Sequence, residues 1–319
     1  MSNKIWLSSP HMGGNEKKYV KEAFDTNWIA PLGPNVTGFE QDLKDFLQTK
    51  KEVAALSSGT AAIHLALILS DVIAGDDVLC QSMTFSASAN PITYQGAQPV
   101  FVDSEKDTWN MCPLHLENAI KLGVSKGKKP KAIIVVHLYG MPAKIDEISA
   151  VAKKYEISLI EDAAEALGST YKGKKCGTFG DFGVLSFNGN KIITTSGGGA
   201  LVCKTVESKQ KAIFLATQAR DNQPHYQHSE IGYNYRMSNV LAGVGRGQMK
   251  VLDKHIGYRR ANNKFYQKLF RNIQGVTVFV EPKENLFSNH WLSCIVIEED
   301  IAGFSREDLR LSLEKDNIE

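Results

Sequence analysis

The chain predicts a layered α/β domain on a largely parallel sheet, followed by a smaller α+β unit. Three observations carry that expectation. Short apolar runs alternate with helical stretches between Val53 and Asp162. Polar residues with chemical potential (Ser58, Thr84, His137, Asp162 and Ser186) fall at or just beyond the ends of predicted strands, where ligands sit in such sheets. After Val202 the alternation stops and longer helices take over. With 319 residues the chain suits two domains, placed at 1–250 and 251–319.

The elements follow in order. Tyr19, Val20, Ala23 and Phe24 recur at helical spacing and predict an amphipathic helix over Asn15–Asn27. Pro31-Leu32-Gly33-Pro34 breaks the chain before a second helix, Val36–Leu47, with Phe39, Leu43 and Phe46 on one face. Val53–Leu56 reads as a strand. It runs into Ser57-Ser58-Gly59-Thr60 and an apolar helix, Ala61–Leu69, in which His64 is expected to be a core residue. Strands at Asp77–Gln81, Pro99–Val102, Lys131–His137 and Ile157–Glu161 alternate with helices at Phe85–Tyr94, Leu114–Leu122 and Ile145–Tyr155. Phe182–Leu185 and Ala200–Val202 read as strands flanking a glycine-rich loop, and Lys209–Ala219 as a helix. Asn222–Asn239 is polar and aromatic without a period, so an ordered functional loop is expected there. The last stretch reads as helices Val240–Leu252 and Ile256–Phe270, strands Val276–Val280 and Leu292–Ile297, and a helix Ser305–Lys315.

Composition excludes several classes. The chain is 43% hydrophobic and 23% charged with a net charge of +2, which gives no electrostatic footprint for nucleic acid. No apolar run approaches the roughly 20 residues of a membrane span, and the first ten residues lack signal-peptide order. The five cysteines are scattered without metal-ligand spacing, so they are expected to be reduced and structural, in a cytoplasmic protein without a metal. No G-x-G-x-x-G follows an early strand, which argues against a dinucleotide-dependent dehydrogenase.

Two junctions carry chemistry. Ser58-Gly59-Thr60 opens a helix, so hydroxyls and free N–H groups can cradle a phosphate, although plain helix capping uses the same residues. Lys191 sits in Ser186-Phe187-Asn188-Gly189-Asn190-Lys191, followed by Gly197-Gly198-Gly199. An ordinary hairpin with an exposed lysine fits that stretch, and so does a lysine that forms a Schiff base in a pre-shaped pocket. Taken with the phosphate cradle, Phe85 and Asp162, only the Schiff-base role uses all four features. A flat ring with a phosphate, an aldehyde and a basic nitrogen would employ the cradle, Lys191, Asp162 and the Phe85 face, which describes pyridoxal 5'-phosphate (PLP).

Five ordered motifs make the chain resemble the DegT/StrS family of PLP-dependent sugar aminotransferases. They are Ser58-Gly59-Thr60-Ala61-Ala62, His137-Leu138-Tyr139-Gly140, Glu161-Asp162-Ala163-Ala164-Glu165-Ala166-Leu167-Gly168, Ser186–Lys191 and Gly232-Tyr233-Asn234-Tyr235-Arg236-Met237. The resemblance implies the aspartate aminotransferase (type I) fold and a homodimer with shared active sites. It implies that Lys191 binds the cofactor and moves the proton, that Asp162 pairs with the ring nitrogen and that Phe85 stacks on the ring. Ser58, Gly59, Thr60, Ser186 and Asn188, with Asn234 from a second subunit, would complete cofactor binding.

Four further stretches narrow the likeness to enzymes that aminate a UDP-4-keto-6-deoxy-N-acetylhexosamine, as in bacillosamine synthesis, with L-glutamate as donor. They are Pro10–Asn15, Ile29–Gly33, Asn188–Lys191 and Thr217–Arg220. The His290-Trp291 pair and the Trp28-Ile29 turn are candidate sugar contacts, and core packing fits them equally.

Two departures stand out. Glu165 replaces the Gln or His common near the ring's phenolic oxygen. A second carboxylate there would be repulsive, so Glu165 is expected to be protonated or turned to another donor. Relatives also continue past Glu319, so a truncated chain with reduced or no activity is expected. The alternatives are a PLP-dependent sugar dehydratase, which in this family tends to carry histidine in place of Lys191, and a catalytically silent PLP- or nucleotide-sugar-binding protein.

Overall fold

The computed structural model describes residues 4–319. Two helices, α1 (Glu16–Asp25) and α2 (Pro34–Leu47), precede strand β1 (Glu52–Leu56) and helix α3 (Gly59–Leu69). Then follow β2 (Asp77–Gln81), α4 (Asn90–Tyr94), β3 (Gln98–Val102), α5 (Pro113–Ser125), β4 (Ala132–Val136), α6 (Ile145–Lys154) and β5 (Ser158–Asp162). Short strands β6 (Thr170–Tyr171) and β7 (Lys174–Lys175) lead to β8 (Phe182–Ser186), β9 (Gly199–Cys203) and α7 (Val206–Ala216). The last third holds α8 (Asn239–Met249), α9 (Leu252–Phe270), β10 (Val276–Val278), β11 (Leu286–Phe287), β12 (Ile295–Ile297), α10 (Glu299–Ala302) and α11 (Arg306–Lys315).

Seven strands form one sheet in the order β1-β9-β8-β5-β4-β2-β3. Every pairing is parallel except those of β9, which runs antiparallel to both β1 and β8. The period of two splits the strand side chains between the faces. Ile134 of β4 joins the cluster under α3 and α7, while Ile133 and Val135 join the one under α5 and α6. Both faces are covered, which is why β4 reads as five consecutive apolar residues. A third cluster packs α2, α8 and the start of α9 against β9. Two small sheets, β10-β12 and β11-β6-β7, lie outside the main one.

Two expected elements differ. The helix expected at Phe85–Tyr94 is split: Phe85 is extended, Ser86–Ser88 makes a 3-10 turn, and α4 starts afresh at Asn90. Pro91 sits in the first turn of α4, where its missing N–H costs nothing, so the second helical piece begins there. The break between the two long helices falls at Lys250–Val251, earlier than the apolar spacing suggested.

Candidate active site

One cavity of about 350 Å³ opens beyond the ends of β1, β5 and β8. Its floor is the junction between β1 and α3. Ser58 caps α3, its Oγ accepting the Ala61 N–H at 3.0 Å, and Ser58, Gly59 and Thr60 of this capped turn line the cavity together. The antiparallel insertion of β9 builds this floor, because Gly199 pairs with Leu56 on one side and Ser186 on the other. A Cβ on Gly199 would collide with the backbone of Ser58 and Gly59, so glycine is required for the approach. A Cβ on Gly59 would sit 3.1 Å from the Ser186 Cβ, which keeps that wall equally close.

Asp162 ends β5, and its carboxylate is fixed by two donors, Ser88 Oγ at 2.6 Å and the Ala164 N–H at 3.1 Å. Ser88 is itself joined to Thr84 at 2.7 Å. Glu165 lies one turn beyond. Its Oε2 accepts the Tyr139 N–H at 2.6 Å, and its Oε1 lies 3.4 Å from Lys191 Nζ. Tyr139 adopts φ 55°, and this left-handed backbone belongs to the turn that aims its amide at Glu165. Burial holds the Glu165 carboxyl above its ordinary value, and the lysine and the Tyr139 amide offset only part of that. Lys191 reaches the cavity from a tight turn in which its own N–H bonds the Asn188 carbonyl at 3.0 Å. A hydroxylated helix N-terminus, an anchored carboxylate and an amine therefore face one enclosed space.

Comparison with known proteins gives this geometry its context. The profile of the DegT/DnrJ/EryC1/StrS aminotransferase family matches residues 10–319. EpsN of Bacillus subtilis, assigned as a pyridoxal phosphate-dependent aminotransferase, is 52% identical over 319 residues, covering 100% of this chain and 81% of EpsN. The chain belongs to this aminotransferase family. GDP-perosamine synthase of Caulobacter vibrioides is 38% identical over 302 residues, covering 94% of this chain and 79% of that enzyme. Spr1654 of Streptococcus pneumoniae, assigned as a sugar aminotransferase and solved in its PLP form, superposes with a TM-score of 0.88 at 28% identity. That match covers 99% of this chain and 83% of the Spr1654 chain.

As a DegT/DnrJ/EryC1/StrS aminotransferase, the protein uses pyridoxal 5'-phosphate and has the α/β fold of the PLP-dependent aminotransferases. The cavity fits the cofactor on its own chemistry. The glycine-bounded cradle at Ser58, Gly59, Thr60 and Ser186 offers donors to a phosphate. Asp162 offers a fixed carboxylate to a ring nitrogen, and Lys191 offers the amine. Among the described residues no group of three His, Cys, Asp or Glu side chains is placed to hold a metal ion, and no helix is long and apolar enough to cross a membrane.

The structure brings together most of the residues singled out from sequence. Ser58, Gly59, Thr60, Phe85, Asp162, Glu165, Ser186, Asn188 and Lys191 all line the cavity, with Phe85 71% exposed at its mouth. Five do not line it, the first being His137, which is buried with its Nε2 3.0 Å from Glu161. Asn234 is exposed outside it, bridging to Thr217. Trp28 borders a separate shallow hollow with Pro34 and Arg236, and Ile29 is exposed. His290 is buried with φ 47°, and its ring meets Glu281 at 3.1 Å, so its neighbour Trp291 takes that wall instead. His64 is a buried residue held between Tyr235 and Gln95, as its apolar helix suggested. Sequence reading missed Ser88, because the continuous helix expected over Phe85–Tyr94 concealed the turn that aims it at Asp162. It offered His290 and Trp291 together, and the apolar spacing around Leu292 held no signal for which would face inward.

Proposed function

We propose that this PLP-dependent sugar aminotransferase moves the amino group of L-glutamate to carbon 4 of a UDP-4-keto-6-deoxy-N-acetylhexosamine, supplying bacterial glycan or cell-surface polysaccharide synthesis. The observation that carries the reading is that Lys191, Asp162 and the Ser58–Thr60 cradle converge on one cavity. When bound, PLP supplies an aldehyde that takes up the amino group and a ring that accommodates the electrons released at the donor's α-carbon. The chain's own groups do the rest. Ser58, Gly59, Thr60, Ser186 and Asn188 hold the phosphate end, and Asn234 of the partner subunit completes it in a homodimer. Asp162, fixed by Ser88 and Ala164, orients the ring nitrogen, and Phe85 covers one ring face. Lys191 Nζ, as a free amine, takes the α-proton of glutamate and delivers it on the cofactor side, and the reverse sequence serves the sugar.

The UDP-linked acceptor rests on the resemblance carried by Pro10–Asn15, Ile29–Gly33, Asn188–Lys191 and Thr217–Arg220. Likeness to a GDP-perosamine synthase supports a second reading with a GDP-linked acceptor. The purified protein should be yellow and should bleach when glutamate is added. The bleached protein should then aminate one of a panel of UDP- and GDP-linked 4-keto-6-deoxy sugars, with the product identified by NMR. Colour that never responds to glutamate would replace this reading with a silent binder, and loss of the sugar hydroxyl at carbon 3 would replace it with a dehydratase.

A further inference from the structure

Trp291 makes two contacts with the Lys191 turn that, among the described residues, no other side chain makes together. Its indole N–H donates to the Asn190 carbonyl at 2.8 Å, and its ring face lies 4.2 Å from Lys191 Nζ. The residue is 5% exposed and lines the cavity. It comes from the last third of the chain, far in sequence from the turn it holds, so its placement needs its own support.

That support is Asn289. Its Oδ1 accepts the Trp291 N–H at 2.8 Å, while its Nδ2 donates to the Glu165 and Leu167 carbonyls at 2.9 and 3.0 Å. One buried amide thus ties the segment carrying Trp291 to the segment carrying Glu165. The Asn190 carbonyl has a second donor, Ser8 Oγ at 2.7 Å, which Arg259 in turn contacts at 2.8 Å. The turn is therefore held from both sides, and of these two donors to the Asn190 carbonyl it is Trp291 that also touches the amine.

We propose that Trp291 is a positioning residue for the transamination lysine. A cation over an indole face is attracted by the ring quadrupole, and the attraction grows when water is excluded. Glu165 and the Trp291 face together keep the Lys191 amine aimed into the cavity whenever it is not joined to the cofactor, and the indole N–H keeps the turn beneath it in place. This rests on the proposed role of Lys191 and deepens it. It assigns to the last third of the chain a direct part in presenting that lysine.

The first test needs no cofactor. In cofactor-free protein with ¹³C-labelled lysine, the Lys191 ε-methylene signal is identified by its loss in Lys191→Ala. An upfield ring-current displacement of that signal is expected, abolished in Trp291→Leu and reduced in Trp291→Phe. The second test is single turnover with glutamate. Trp291→Leu should slow the half-reaction about tenfold or more, Trp291→Phe less, with the glutamate concentration dependence little changed and a larger isotope effect from α-deuterated donor. An undisplaced Lys191 signal in the wild-type protein overturns the proposal even if both variants fail to fold. A Trp291→Leu variant with wild-type turnover, or one that loses rate and donor affinity in parallel, overturns it too. A colourless wild-type protein would sink the proposed function while leaving the ring-current result to stand or fall alone.

Discussion

Glu161 lies in β5 and Glu165 just beyond it, and the protein buries them in opposite ways. Glu161 is fully buried behind the cavity and saturated with donors: His137 Nε2 at 3.0 Å, the amides of Gly177 and Gly180 at 2.9 and 2.6 Å, and the amide of Phe179. Burial alone would raise its pKa, but His137 and these amides outweigh that and hold it below its ordinary value. His137 can serve as donor because its Nδ1 accepts the Ala143 N–H at 3.0 Å, which leaves the proton on Nε2. Glu165 has one amide and a lysine at 3.4 Å, and burial wins, so its carboxyl is held above its ordinary value. Four residues separate a carboxylate built to stay charged from one that readily keeps a proton. The first belongs to the framework of the sheet and the second to a site that must accommodate changing charge.

The sharpest way to break this contrast is at Lys191. Lys191→Ala should cost roughly 10³-fold or more in turnover while leaving the melting temperature of the cofactor-free protein nearly unchanged, checked by steady-state assay and calorimetry. A large loss of stability would place the lysine in the framework instead. Next, Glu161→Ala should cost about 3–5 kcal/mol by denaturant unfolding, because it strips three amides and an imidazole of their buried acceptor. With Glu161 lowered in the fold, its contribution is full above about pH 4.5, the ordinary glutamate value, and is lost as pH falls through its lower native value. The acid limb of the unfolding curve should therefore flatten in Glu161→Ala.

Ser58→Ala should cost about 1 kcal/mol of stability through the lost cap on α3. It should weaken PLP binding by more than that, which equilibrium dialysis would measure. A purely structural cap would lower stability and leave the cofactor affinity alone. The smallest effect is expected at Glu165. A carboxyl raised in the fold holds its proton above the unfolded value, so its contribution to stability falls as pH rises from about 4.5 through its native value. Glu165→Gln keeps an acceptor for Tyr139 and has no proton to lose. The melting temperature of the cofactor-free variant should gain slightly on wild type, by about 2 °C, across that pH interval. Parallel curves would show that Glu165 stays charged there.

Much of this was legible beforehand. Strand ends marked the cavity because a parallel sheet gathers its carboxyl ends on one side, and four of the five residues chosen on that ground, Ser58, Thr84, Asp162 and Ser186, line one space. The Ser58 cap was legible because capping is local chemistry. Glu165 was expected to be protonated or turned to another donor, and the structure gives it the Tyr139 amide. The direction of that amide depends on a left-handed tyrosine backbone, which no local rule requires.

The sequence offered His290 and Trp291 together, and which of the two faces the cavity was not legible in it. Which of two adjacent side chains faces a cavity follows from backbone set elsewhere, here by Asn289 bonding Glu165 and Leu167 and by Glu281 capturing the His290 ring.

What the sequence determined by itself were the properties carried by near neighbours: the alternation of elements, the capped α3, and the lysine in its turn between two strands. What only the tertiary structure decided were the relations between distant segments. The antiparallel β9 seats Gly199 against Ser58, the 3-10 turn aims Ser88 at Asp162, and a buried asparagine delivers Trp291 to Lys191. The physical reason is range. Periodicity and capping act within a turn or two of chain, whereas the direction of a buried polar group is set by whichever partner the whole fold brings within hydrogen-bonding distance.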